Sequence, residues 1–323
     1  MSIDRRRLLT TALTLGAMQA FPGLSFAQAR PLVFATFTGS WEEAHKAVLV
    51  PAFRKANPPI DVMLHDPGPA LVAIGQDLVE PFPVDKSAYY KDLIAEAQEP
   101  MGPAPFFQVV GLTYNPETVK TPPTSWADLW NPEFKGKVGI TNLNSTLGTG
   151  WLVEVARMHG GSEANVDEGF KAIEALKPSL AAVAANPGAL ATLFQQGQID
   201  ISPGNFNAIQ ILKARGVPVE WVAPKEGAIA FKTTIHIVKN SPNRELAFKL
   251  IEAALSPEVQ TTLMNPPYLI VPTNAKVAMA GEIAKVLAKD TAEMKKKFVF
   301  QDWKKINEQR SSWIEKFNRD IKI

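Results

Sequence analysis

The chain has 323 residues, a formal net charge of +2 and no cysteine. This excludes a disulfide scaffold and a cysteine-linked lipid anchor, and it leaves none of the basic excess that a nucleic-acid surface needs. The length suffices for two substantial hydrophobic cores.

Asp4-Arg5-Arg6-Arg7 precedes an apolar, charge-free run from Leu8 to Phe21, and small residues follow at Ala27 and Ala29. This is the layout of an export signal over residues 1–27, with the mature chain starting at Gln28 or Arg30; the run is too short and wrongly flanked for a membrane span. Arg5-Arg6-x-Leu8-Leu9 fits a twin-arginine signal, the alternative being a general secretory leader that carries three arginines. With those arginines removed, the remaining chain is close to neutral.

Leu32–Phe37 reads as a compact apolar strand, followed by Thr38-Gly39-Ser40 and a helix from Trp41 with Glu42 and Glu43 in its first turn. Ile60–Leu64 is a second strand, followed by His65-Asp66-Pro67-Gly68-Pro69 and a helix over Ala70–Gln76. Residues 79–105 are loop-rich and broken by proline, and Phe106–Tyr114 is a strand.

The segment 124–161 carries the densest signal. Thr124 or Ser125 caps a turn bearing Trp126, Leu129 and Trp130, with Asp128 at its positive end, and Asn131-Pro132 stops it. A short strand at Lys137–Thr141 feeds a loop rich in Gly, Ser, Thr and Asn, and a helix is expected from Trp151 to the Gly160-Gly161 pair. A small-residue loop entering a helix N-terminus offers N–H groups to an anion or polar ligand; an ordinary polar turn is the other reading.

Further on, helical faces are expected at Phe170–Leu176 and Ala189–Phe194. Ile199–Ser202 is a strand ending in a Pro203-Gly204-Asn205 turn, before a helix at 206–214. Val217–Val222 and Ala228–Val238 are strands, a helix spans 243–255, and Ser256-Pro257 opens another. Charged helices near 279–318 close the chain, their lysines read as solvated faces.

Catalytic and metal signatures are poor. His45, His65, His159 and His236 are scattered, no G-x-S-x-G elbow or complete G-x-G-x-x-G occurs, and no G-K-[ST] follows a glycine loop. No cofactor, metal set or catalytic residue is expected, and Tyr89-Tyr90 is read as packing.

The run Pro122-Pro123-Thr124-Ser125-Trp126-Ala127-Asp128-Leu129-Trp130-Asn131-Pro132-Glu133-Phe134-Lys135-Gly136-Lys137-Val138 resembles bacterial extracellular solute-binding proteins of ABC transporters, in particular those related to spermidine/putrescine receptors. Gly111–Asn115, Ala223–Gly227 and Leu255–Gln260 are similar to the same family in the same order. The resemblance implies a type II periplasmic-binding-protein fold: two α/β lobes, 28–108 plus 237–323 and 109–236, crossed near 107–113 and 233–238. It implies a monomer that delivers a small solute to separate permease and ATPase chains. A sensor subunit and a periplasmic hydrolase on a similar scaffold are the competing classes.

That family carries a second strand–helix unit that no run between Phe53 and Ile60 supplies, so the first lobe is expected to lack it and to leave the strand at 32–37 as an exposed edge. The resemblance places Thr38, Ser40, Trp41, Asp66, Tyr114, Asn144, Ser145, Thr146, Asn205, Phe231 and Thr233 around the cleft. Where polyamine receptors have Trp-x-Asp this chain reads Phe231-Lys232-Thr233, and an acidic cluster is replaced by Thr141–Thr146. Hydroxyls and N–H groups suit an anion. The expected solute therefore has a carboxylate or phosphate end near Asn144–Gly150 and an apolar part against Trp41, Tyr114 or Phe231. Asp66 also allows an amino-bearing zwitterion, and a cationic solute met by Asp66 and Asp200 is the alternative.

Overall fold

The computed structural model describes residues 33–35, 44–49 and 61–321. The export signal and the expected cleft residues Thr38, Ser40 and Trp41 lie outside the described residues.

The elements, in chain order, are β1 (Val33–Ala35), β2 (Asp61–His65), α1 (Pro67–Gly75), β3 (Val79–Glu80), β4 (Phe106–Tyr114), β5 (Val138–Thr141), α2 (Thr146–Met158), α3 (Asp167–Leu176), β6 (Leu180–Ala184) and α4 (Pro187–Gln195). They continue with β7 (Ile201–Asn205), α5 (Phe206–Ala214), β8 (Glu220–Val222), β9 (Ala228–Val238), α6 (Arg244–Leu255), α7 (Pro257–Met264), β10 (Val271–Pro272), α8 (Thr291–Lys297), β11 (Phe298–Phe300) and α9 (Trp303–Asp320).

Among the described residues the strands form one mixed sheet with the path β1-β2-β9-β4-β7-β5-β6. β9 organises it. Its C-terminal half, from Thr234 on, pairs antiparallel with β2, and Ile229–Thr233 pairs antiparallel with β4. The change of partner falls between Thr233 and Thr234. β1 sits at the end of the path and pairs in parallel with β2 alone among the described strands.

Alternation along the two long strands divides the core. Ala228, Ala230, Ile235 and Ile237 of β9 join one cluster with Phe106, Phe107 and the α6–α7 pair, whereas Ile229 and Phe231 join the other with Val110 and Leu112. The second cluster is dominated by α2, whose residues from Thr146 to Ala156 are all buried, as expected of a helix enclosed on all sides. It also takes in Trp303, Ile306, Trp313 and Phe317 from one face of α9. The C-terminal helix, expected with the first lobe, touches α1 and also places these side chains in the second cluster.

Two local expectations are corrected. The small-residue stretch before Trp151 is not all loop, because α2 already begins at Thr146. Its glycines permit close packing: a Cβ on Gly148 would lie 2.3 Å from the Asn142 carbonyl oxygen, and one on Gly150 would lie 2.5 Å from Phe231 Cζ. Likewise Pro203-Gly204-Asn205 is strand rather than turn, pairing with Leu112, Gly111 and Val110. The Trp126–Trp130 turn is capped as expected: Ser125 Oγ accepts from Ala127 N, and the Asp128 carboxylate accepts from Ser125 N.

Candidate functional site

The end of β2 delivers Asp66, which stands as the N-cap of α1. Proline at the first helical position suits this start, since its missing N–H would be unpaired there anyway. The residue is half-buried, and its carboxylate reaches polar groups of β4 and of the start of α2. Gln108 Nε2 donates to Asp66 Oδ1 at 2.7 Å and to Thr233 Oγ1 at 3.1 Å. Gln108 Oε1 accepts from Asn205 Nδ2 at 2.9 Å, and the Thr146 side chain lies close enough to stabilise the Asp66 carboxylate. Asn205 is the N-cap of α5 and Thr146 the first residue of α2. Three helix N-termini, those of α1, α2 and α5, therefore converge on one polar cluster.

One cation joins them. Arg310 on α9 donates through Nε to Thr149 Oγ1 at 3.1 Å and through Nη2 to the carbonyls of Leu143 and Asn144 at 3.3 and 2.7 Å. Its guanidinium lies 5.9 Å from the Trp303 ring centroid, a cation–π distance. Gly68 makes room for it, since a Cβ there would come within 2.8 Å of Arg310 Nη1. Burial pushes the Asp66 carboxyl up to about 6, opposed by the hydrogen bonds from Thr146 and Gln108 and by the Arg310 charge. Burial also lowers the Arg310 pKa, and Asp66 opposes that in turn. One half-buried acid and one half-buried base thus act on each other across a group of helix N-termini.

Of the expected cleft residues, Asp66, Thr146, Asn205 and Thr233 are brought together. Asn144 contributes its backbone carbonyl to Arg310, while its side chain is exposed, and Ser145 caps α2 without a side-chain hydrogen bond. Two aromatic expectations are corrected. Phe231 is 1 % exposed, set edge-on to Trp303 and against Gly150, so it is a packed wall behind the cluster. Tyr114 lies six residues along β4 from Gln108, roughly 20 Å at strand rise, beside Lys213 and Glu220. Asp200 precedes the opposite end of β7 from Asn205, where its backbone pairs with Lys137 and Asn115, so it does not join Asp66.

Gln108 and Arg310 were missed on sequence. Gln108 was legible as the lone amide in the apolar run Phe106–Tyr114. Arg310 carries no such mark, because an arginine on a charged helix reads as solvated surface.

Comparison with known proteins bears on the fold and the family. A spermidine/putrescine-binding periplasmic protein from Salmonella typhimurium is 34% identical over 152 residues, covering 45% of this chain and 40% of the relative. A putative 2-aminoethylphosphonate-binding periplasmic protein from the same organism is 27% identical over 216 residues, covering 65% of this chain and 61% of the relative. The chain thus matches less than two thirds of the length of either. The crystal structure of an ABC transporter protein from Clostridium perfringens superposes with a TM-score of 0.69 at 25% identity, over 86% of this chain and 89% of that one. The fold is that of the type II periplasmic binding proteins. The family profile of bacterial extracellular solute-binding proteins matches residues 72–309, and the chain belongs to that family.

Proposed function

We propose that this chain is the solute-capturing component of an ABC importer, working as a monomer with separate permease and ATPase chains, and that its solute carries a carboxylate, phosphate or phosphonate end. The observation that carries the reading is the nearness of half-buried Arg310 and Asp66 where α1, α2 and α5 begin. The acid end would sit against Arg310 and the N–H groups opening α2. Asp66, now bonded to Gln108, would turn to an ammonium or hydroxyl on the same molecule. The 2-aminoethylphosphonate relative supports the reading, since that compound has both an acid and an amino group. The two lobes would meet at Gln108 and at the Thr233/Thr234 change of strand partner, closing by hinge motion.

A polyamine receptor is the second reading, favoured by the spermidine/putrescine relative. It requires Asp66 to serve a dication beside Arg310, without help from Asp200. Burying ammonium groups with too few counter-charges costs several kcal/mol per ion. Calorimetry with 2-aminoethylphosphonate, phosphate esters, short carboxylates, putrescine and spermidine decides between the two. Binding of at least one acid is expected. Tight spermidine or putrescine binding with no response to any acid overturns the proposal.

A further inference from the structure

Asp66 holds the N-cap position of α1 but makes no side-chain cap bond there. The sequence accounts for this. A cap carboxylate accepts from the second or third N–H of its helix, and in Asp66-Pro67-Gly68-Pro69 the third is a proline, which has none. The Gly68 N–H is left, and Asp66 does not take it. The carboxylate turns instead to Gln108, whose Nε2 lies 2.7 Å from Oδ1, and to the neighbourhood of Thr146.

A carboxylate that accepts several backbone N–H bonds is held ionised well below its usual range. Asp66 is built without them. Gln108 cannot supply more, because Nε2 also donates to Thr233 Oγ1 and Oε1 accepts from Asn205. The residue is half-buried and not sealed in the core.

The surroundings leave Asp66 one counter-ion. α1, β4 and the first turns of α2 and α5 carry no charged side chain. On β2 and β9, burial lowers the pKa of His65 and His236, and Lys232 is ion-paired with Glu99. On α9, Asp302 accepts from the amides of Lys304 and Lys305, and Lys304 is exposed. Arg310 is the cation that acts on Asp66. Burial raises the Asp66 carboxyl to about 6, so near neutral pH both protonation states lie within reach.

An anion seated against Arg310 adds a like charge beside Asp66, which favours the protonated form; an ammonium there favours the ionised form. The two forms also recognise different groups. A protonated carboxyl offers one O–H donor, whereas an ionised one only accepts.

We propose that Asp66 is a specificity-determining residue that works by its own proton: capture of an acid without an amine draws one proton from solvent onto Asp66, whose new O–H donates to that acid, whereas an amine-bearing acid is met by the ionised carboxylate. This rests on the acid-end reading above.

The test is calorimetry of two pairs, propionate with β-alanine and ethylphosphonate with 2-aminoethylphosphonate. Each is run near pH 7 in buffers of different ionisation enthalpy, so that protons taken up are counted, and the affinities are followed from pH 6 to pH 8. The carboxylates stay ionised throughout, and subtracting the Asp66→Asn result removes the phosphonates' own titration. The plain acid is expected to take up about one proton per molecule bound and to lose tenfold or more in affinity across that range, since each unit of pKa rise on binding is a tenfold change. Its amine-bearing partner should take up close to none and hold its affinity. Asp66→Asn should abolish the uptake and flatten the plain acid's profile. If that variant melts early, the wild-type contrast between propionate and β-alanine decides alone. The same uptake, or none, by both members of each pair overturns this inference and leaves the acid seat standing, as does uptake that survives Asp66→Asn. No binding by any of the four acids overturns the acid seat and this inference with it.

Discussion

Gln108 on β4 and Asp66 at the start of α1 are joined by a 2.7 Å hydrogen bond, and the same Gln108 amide accepts from Asn205 at the start of α5. One side chain in a long central strand therefore ties together two helix N-termini. Its Nε2 also reaches Thr233 on the neighbouring strand, so every atom of the amide is used and only one orientation satisfies all partners. Replacing it by Leu keeps much of the volume and strands three buried polar groups. Gln108→Leu is expected to destabilise the fold by about 2–4 kcal/mol, read as a lower denaturant midpoint at unchanged slope. It should also weaken solute binding at least tenfold. An unchanged midpoint would show that the network does not hold in solution.

Arg310 depends on a missing side chain. Gly68 leaves the space into which the guanidinium extends, and a Cβ there would press on Nη1 at 2.8 Å and approach Trp303 Cζ3 at 3.4 Å. Gly68→Ala should push Arg310 off the carbonyls of Leu143 and Asn144. Arg310→Lys supplies a charge without the planar fork that reaches Thr149 and both carbonyls at once. Both variants are expected to weaken an acid solute tenfold or more in calorimetry. Equal affinity of wild type and Arg310→Lys would remove Arg310 from the site.

The α2 N-terminus is held equally closely. Gly150→Ala would place a methyl 2.5 Å from Phe231 Cζ and 3.0 Å from Gln301 Oε1. Overpacking of this kind destabilises by about 1–3 kcal/mol. A lower melting temperature is expected, and the companion Phe231→Leu change should recover part of it. Additive losses in the double variant would show that the two positions do not press on each other.

These residues also show what the sequence could reveal. Elements set by local chemistry were readable: the Ser125–Asp128 capped turn, the Ser256-Pro257 helix start and the apolar run of β9 from Ala228 to Val238 all lie where their residues predict. Asp66, Thr146, Asn205 and Thr233 were nominated through family resemblance, and they meet. What the sequence hid was long-range. Whether Thr146–Gly150 is loop or helix depends on Phe231 and Gln301 packing against glycines from far along the chain. Arg310 joins the polar cluster only because Trp303, Ile306, Trp313 and Phe317, on the same face of α9, turn that face into the second core. No local pattern announces that contact.

Export is a separate matter, resting on Arg5-Arg6-x-Leu8-Leu9. Replacing both Arg5 and Arg6 by Lys is expected to strand unprocessed precursor in the cytoplasm, read by fractionation and immunoblot, because a twin-arginine route requires the pair. Processing and periplasmic delivery at the normal rate would assign the general secretory route. N-terminal sequencing of the wild-type mature protein should begin at Gln28 or Arg30.

Asp66 makes stability depend on pH in an unusual sense. Burial raises its carboxyl from 3.8 to about 6, with Thr146, Gln108 and Arg310 opposing the rise. A carboxyl whose folded pKa lies above its unfolded one binds more protons in the native state, so its contribution favours folding at low pH. That contribution is fully present below the unfolded value near 4 and is lost as pH rises to about 6. A shift of this size corresponds to about 3 kcal/mol. Asp66→Asn keeps an oxygen to accept from Gln108 and cannot ionise. Its melting temperature should match the wild type near pH 4 and exceed it near pH 7.5, with the gap opening between those values. Arg310 is the charged neighbour that acts on Asp66, and removing it should widen the gap, since the half-buried carboxylate would then have no counter-charge. A gap that is constant across the range, or a variant less stable at pH 7.5, would mean that Asp66 is ionised at little cost and that Arg310 compensates its burial in full.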